Sequence, residues 1–243
     1  MTNKLKKMKF SFVTIFKREF ASFFASPIAY IVMGLFLVLT GILFWQTFFI
    51  NKVPSMRRLF SLLPLLLSFF IPALTMRIFA EEKKSGSIET LMTLPVTEFD
   101  VVFGKFMACF AFSVLMVLTT SVYIPGILAF GKLDRGTVFC GYLGAIFLCA
   151  AFSAIGVFAS SLTRNQIISF FIAFIICVVL ALMGEYLVFL PAKIVNVIQF
   201  VSASYHFSAI AQGVIDTRDL VYFAAITAFF ISITVELQKS ERS

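Results

Sequence analysis

The stretch Arg77–Lys105, RIFAEEKKSGSIETLMTLPVTEFDVVFGK, is polar, charged and compact, and it separates two apolar segments that are each long enough to cross a bilayer. Gly86 and Ser87 can start a short helix, with Ser87 as N-cap. Glu89 then falls in the first turn, where its charge suits the helix dipole. Ile88, Leu91 and Met92 follow i, i+3, i+4 spacing and make one small apolar face, and Pro95 limits the length to about two turns. A helix this short is marginal alone. It either rests on the membrane surface as a connector or docks into something soluble, and the second reading makes the chain a membrane subunit driven from outside the membrane.

The rest of the chain supplies the membrane. Of 243 residues, 60% are hydrophobic and 13% charged, and the mean hydropathy is +1.02. A water-soluble domain of this size could not hide so much apolar surface. Apolar windows of about 20 residues, the length of a hydrocarbon core, place spans near 28–50, 59–79, 106–130, 137–161, 166–184 and 220–237. The expected fold is an all-α, polytopic membrane domain of six transmembrane helices, occupying 1–243 as a single unit. Pro64 and Pro72 predict a kinked second span held by its neighbours, and Thr97-x-x-Asp100 has the spacing of a capping box at the entry to the third. Residues 10–25 are too charged to span; Phe12, Val13, Phe16, Phe20, Phe23 and Phe24 share a face that excludes Lys17 and Arg18, the pattern of a helix lying in the interface. Ser26-Pro27 should end it. Residues 185–219 hold no clean span and read as short helices or a re-entrant hairpin.

Six spans put both termini on one side. Thirteen Lys and Arg fall in segments on the N-terminal side and seven on the other, which favours cytoplasmic termini. The net charge of +8 is accounted for by this bias and needs no nucleic-acid partner. The basic start, Lys4 to Lys9, leads into an amphipathic stretch rather than into the apolar core of a cleavable signal. Cys109, Cys140, Cys149 and Cys177 lack metal-ligand spacing and read as buried small hydrophobes. His206 is the single histidine, which excludes a bis-histidine haem within the chain; it is expected to pack or hydrogen-bond near the outer surface. Arg77 is expected to meet lipid headgroups or pair with Glu81 or Glu82, and Glu185 to reach water at the end of span 5. Ser153, Ser160 and Ser161 prompt the idea of an intramembrane serine protease, but the chain has no GxSG nucleophile motif. No catalytic, cofactor-binding or metal-binding residue is assigned.

Several runs carry a resemblance: Arg18-Glu19-Phe20 with Ser26-Pro27-x-Ala29-Tyr30; Pro72 to Arg77, Phe79 to Lys83, Ser85 to Glu89, Leu91, Thr93-x-Pro95-Val96 and Gly104-Lys105; Phe158 to Thr163 with Asn165-Gln166; Tyr205-His206-Phe207; and Gly213 to Asp216 with Arg218-Asp219. Together they resemble the membrane (permease) subunits of type 2 ABC transporters, in particular the bacterial gliding-motility-associated permease and the nitrous-oxide-reductase maturation permease. Ser87 departs from the threonine common there but keeps a capping hydroxyl. The resemblance implies a multi-pass protein of the bacterial cytoplasmic membrane, not itself an ATPase, that couples ATP hydrolysis by two copies of a separate ATP-binding subunit to movement of a substrate, in the export direction. ATP and Mg would sit on that partner, in keeping with the absence of GxxxxGK[ST] here. It implies pairing with a second copy or a related membrane subunit. Coupling would fall to 80–100, on Glu82, Gly86, Ser87, Ile88, Glu89, Leu91, Met92 and Pro95. Phe16, Lys17, Arg18, Glu19 and Phe20 would belong to an interfacial elbow helix, and Tyr205, His206, Gly213, Asp216 and Arg218 to an outer re-entrant segment spanning 191–219. The alternative is a mechanical or assembly subunit of an envelope machine that carries no solute; a passive channel without an ATP-binding partner is a third.

Overall fold

The computed structural model describes residues 2–51, 56–87, 96–128, 134–184 and 198–242. These are helices joined by turns: α1 (Thr2–Ala25), α2 (Pro27–Asn51), α3 (Arg57–Thr75), α4 (Ala80–Ser85), α5 (Glu98–Leu118), a 3-10 turn (Thr119–Val122) leading to α6 (Tyr123–Leu128), α7 (Arg135–Leu162), α8 (Gln166–Leu182), α9 (Ala203–Ala211) and α10 (Thr217–Arg242). Local chemistry sets the boundaries. Ser26 separates α1 from α2, which opens on Pro27, a residue whose missing N–H costs nothing at the first helical position. Thr97 caps α5 by accepting from Asp100 N at 3.2 Å and also donates to the Asp100 carboxylate at 2.7 Å. Asp134 caps α7, Asn165 caps α8 and Ser202 caps α9, each accepting a backbone N–H with its side-chain oxygen.

Five of the described segments are long and apolar enough to cross a membrane: Pro27–Gln46, Arg57–Ser85, Glu98–Leu128, Arg135–Leu162 and Thr217–Ser240. Gln166–Leu182 is apolar but 17 residues long. The second, third and fourth are each 61% buried, against 22% and 17% for the first and last. So α3, α5 and α7 form the centre, and α2 and α10 flank it with apolar faces outward. Several polar groups inside the bundle find partners within it, as a bilayer favours: Thr40 donates to Phe36 O, Tyr123 to Leu37 O, and Thr120 and Tyr142 bond at 3.0 Å.

α3 and α7 run side by side in the same direction. At one end Gly141 lies against the Phe60 ring; at the other Gly156 lies against Thr75, so close that a Cβ at either glycine would overlap its neighbour. α3 carries both Pro64 and Pro72 and stops at Thr75. The chain then turns over residues 76–79 before α4, keeping helical dihedrals at Met76 and Phe79 but losing part of the backbone ladder, which is the form the expected kink takes. α7 repairs it. The Ser160 hydroxyl accepts from Phe79 N at 3.0 Å and Ala80 N at 3.1 Å and donates to Met76 O at 3.0 Å, which uses all the bonding capacity a hydroxyl has. Ser160 is therefore a structural bracket, and Ser153 bonds Ser113 across the interface with α5. The four cysteines are free, and Cys109, Cys149 and Cys177 are buried.

Replacing Gly156 by Ala should destabilise the protein by about 1–3 kcal/mol, because α3 must give way to the added methyl. Gly34→Ala, with nothing within 4 Å of the added atom, should be neutral or stabilising by up to about 1 kcal/mol. Thermal unfolding of both variants in one detergent decides this; equal midpoints would refute the close α3–α7 contact.

Candidate functional site

Lys105 sits two turns into α5 and is wholly buried. An ammonium in that position needs partners for three N–H donors. It finds the Glu82 carboxylate at 2.9 Å, the Ile78 carbonyl at 3.0 Å and the Glu19 carboxylate at 3.2 Å, with the Phe79 ring at 5.1 Å. Arg18 closes the group from the solvent side, bonding Glu19 at 2.6 Å and Glu82 at 3.2 Å. Two cations and two carboxylates thus join α1, α5 and the start of the polar segment. Lys83 adds a tie to α7 by donating to Ser161 O at 2.5 Å.

The helix faces explain why these groups meet. On α1 the buried stripe is Ile15, Glu19 and Phe23, at i, i+4 spacing, and it packs on α5 where Gly104 lets the Ile15 side chain approach. Of the expected apolar face, Phe23 lies in this buried stripe, Val13 and Phe24 are exposed, and Phe12, Phe16 and Phe20 are half-buried along the edges. Lys17 is exposed. Arg77 donates to Ser26 Oγ at 2.7 Å and lies 5.7 Å from the Phe23 ring centre, while Glu82, one of its two expected carboxylate partners, is taken by Lys105 and Arg18. Gly86, at φ +74°, ends α4, a conformation glycine adopts without strain. Ser87 is already helical, and its hydroxyl turns back to Ser85 at 2.9 Å and to the Glu82 carbonyl. A cavity of about 550 Å³ opens between α1 and this segment, walled by Arg18, Glu19, Arg77, Glu81, Glu82 and Ser87 among others. Ile88, Glu89, Leu91, Met92 and Pro95 lie outside the described residues, as does Glu185.

The expected interfacial and coupling sets are therefore contiguous at Arg18, Glu19, Glu82 and Ser87. The third set is not part of this site. Tyr205, His206, Gly213, Asp216 and Arg218 belong to α9, the turn after it and the head of α10, at the opposite end of the bundle, where Gly144 of α7 meets Phe207 and Ile210. Gly213, at φ +94°, ends α9, and Asp216 accepts from Arg218 N at 3.0 Å. Residues 191–197 are outside the description.

Burial alone would raise the Glu19 carboxyl. The charge of Lys105 and the hydrogen bond and charge of Arg18 together outweigh it and hold Glu19 below the ordinary carboxylate value. Lys105 itself was missed by reading residues for function, although an ionisable side chain well inside an apolar helix was the available signal.

The profile of the family described as ABC-2 family transporter protein matches residues 9–237. The chain belongs to that family. No curated protein matches it. As an ABC-2 protein it is the membrane component of an ABC transporter and works with an ABC ATP-binding subunit. The match covers the whole ionic cluster, so the cluster lies within the ABC-2 domain rather than on an appendage.

Two outcomes test the cluster in this ABC-2 chain. Lys105→Met strands two carboxylates and should cost roughly 3–5 kcal/mol, toward the lower figure because Arg18 remains; adding Glu19→Gln and Glu82→Gln should recover most of it. Denaturation midpoints in detergent check both. Because the Glu19 pKa is depressed in the folded protein, its contribution is present above the ordinary value of about 4.3 and is lost as pH falls through the lowered one. The thermal midpoint should drop on acidification through that range, and drop less in Glu19→Gln; identical profiles would refute the assignment.

Proposed function

We propose that this chain is the permease subunit of an ATP-driven exporter of the cytoplasmic membrane, and that 80–100 is the segment through which a separate ATP-binding subunit drives it. The observation that supports this reading is the ionic cluster at the root of that segment. A surface connector needs no buried lysine beneath it. A lever does, because force applied at 87–94 must reach the spans without being lost in side-chain motion. Here Glu82 passes displacement to α5 through Lys105 and to α1 through Arg18, while Ser160 and Lys83 pass it to α7. Interior packing is close to that of a solid, so such a linkage shifts helices as bodies.

In the full arrangement Gln166–Leu182 makes a sixth crossing, short but within the range that spans, and both termini are cytoplasmic. α1 is the elbow helix at the interface. Two permeases, either two copies of this chain or one with a relative, pair along exposed apolar faces of the bundle and enclose the path. Two ATP-binding subunits hold ATP and Mg and engage one coupling helix each through Ile88, Glu89, Leu91 and Met92. Nucleotide must favour one of two permease conformations over the other, since a ligand bound equally by both moves nothing.

Affinity purification of the tagged chain from gently solubilised membranes tests this, with Leu91→Asp alongside. A nucleotide-binding subunit should copurify with the wild type and fall at least about tenfold in the variant, as loss of one buried apolar anchor implies. The variant should still insert and unfold at the wild-type temperature. Absence of any ATP-binding protein from the wild-type sample, with the permease pair intact, would overturn the reading.

A further inference from the structure

At the end of the bundle opposite the ionic cluster, the single histidine is buried between acceptors. His206 Nδ1 lies 2.6 Å from Asp219 Oδ1, and Nε2 lies 3.1 Å from the Phe200 carbonyl oxygen. The ring stacks on Tyr222 at 4.1 Å between centroids, and His206 and Asp219 are 7% and 6% exposed. Residues 198–201 are helical and end at Ser202, so the Phe200 and Val201 carbonyls fall in a last turn, where terminal carbonyls lack intrahelical partners. His206 takes the first and the Tyr222 hydroxyl donates to the second. Two side chains on α9 and α10 thus hold 198–201 down, and nothing in the ionic cluster takes part.

We propose that His206 and Asp219 form a proton-operated latch for the segment 198–201. A carbonyl cannot donate, and neither can an ionised carboxylate. Both contacts close only when the pair holds two protons, one on Nε2 and one on the line between Nδ1 and Oδ1, wherever on that line it sits. With a single proton, the charge-assisted Nδ1–H bond to Asp219 is the stronger one to keep. The Nε2 lone pair then faces the Phe200 oxygen, and that hold on the segment is lost. Among the described residues, Tyr205 and Tyr222 are the other ionisable groups against the ring. Of the remaining helices packed on α9, α3 carries Arg57 and Arg58 in its first turn and α8 carries only the buried Cys177. α7 carries Arg135, the free Cys140 and Cys149, and Tyr142, whose hydroxyl is shared with Thr120. Among the described residues, Asp219 is therefore the one anionic partner the ring meets. The latch follows from this geometry whether or not an ATP-binding subunit docks at the other end; if that docking end is cytoplasmic, as proposed above, the latch responds to the proton concentration outside.

With one histidine in the chain, nitrogen-15 labelling of histidine in the full-length protein in nanodiscs gives an unambiguous imidazole signal. Raising the pH from 5 to 9 should convert Nε2 from protonated to unprotonated. In the same interval backbone exchange at 198–206, corrected for its intrinsic pH dependence, should rise about tenfold, the scale of one lost hydrogen bond to a charged group. Asp219→Asn should abolish both effects on the segment, because the amide donates to Nδ1 and a neutral ring still donates from Nε2. An Nε2 signal that does not change in the wild type, exchange that ignores the change, or an Asp219→Asn protein that follows the wild-type course would each overturn the latch. The wild-type measurements suffice if the variant does not fold.

Discussion

The buried ammonium of Lys105 constrains the chain more than any other single group. Placed two turns inside an apolar helix and shielded from solvent, it must be met by acceptors from other elements, because its own helix has used its carbonyls internally. Those acceptors come from α1, from α4 and from the turn between α3 and α4. The requirement therefore reaches well beyond one side chain: it forces an amphipathic N-terminal helix to dock by its one acidic residue, and it fixes where the polar segment leaves the bundle. Buried ion pairs are weak sources of net stability against an apolar alternative but costly to break. An arrangement of this kind is better understood as fixing position than as adding to stability.

The same logic runs through the interruption at residues 76–79. Two prolines remove backbone donors from α3, and the helix ends where Gly156 allows Thr75 to approach α7. The turn exposes backbone groups that lipid could not satisfy, and the Ser160 hydroxyl satisfies three of them. Lys105 takes a fourth, the Ile78 carbonyl. One break in a helix is thus held by α5 and α7 together, which makes the exit of the polar segment a junction of the three central spans.

Much of this architecture is legible in the amino-acid order. The apolar windows, the Ser26-Pro27 break, the Thr97 cap and the tight turn between α7 and α8 depend on local chemistry, and local chemistry is what a sequence displays. The pairings are not legible in the same way. Glu19 looks like a surface acid on an interfacial helix, and only the proximity of Gly104 and Lys105, 86 residues away, brings it inside. The aromatic face of α1 marks an apolar side without saying which stripe the bundle covers, because phenylalanine tolerates lipid and protein equally; the covered stripe is Ile15, Glu19 and Phe23. Ser160 resembled a nucleophile only because its two backbone donors lie 80 and 81 residues earlier in the chain. His206 and Asp219, 13 residues apart, face each other only once Gly213 and Asp216 have turned the chain from α9 into α10.

α7 connects these levels. At 28 residues and about 1.5 Å per residue, it is long enough to reach from the ionic end to the histidine end. Gly141 and Gly156 seat it against both ends of α3, Gly144 seats it against α9, and α10 packs along it. α7 contains no proline and no 3-10 turn, whereas α3 has two prolines and the strand of helix from α5 to α6 is broken by the 3-10 turn at 119–122. The histidine end and the polar segment are thus joined through one helix that contacts both, at Gly144 and at Ser160.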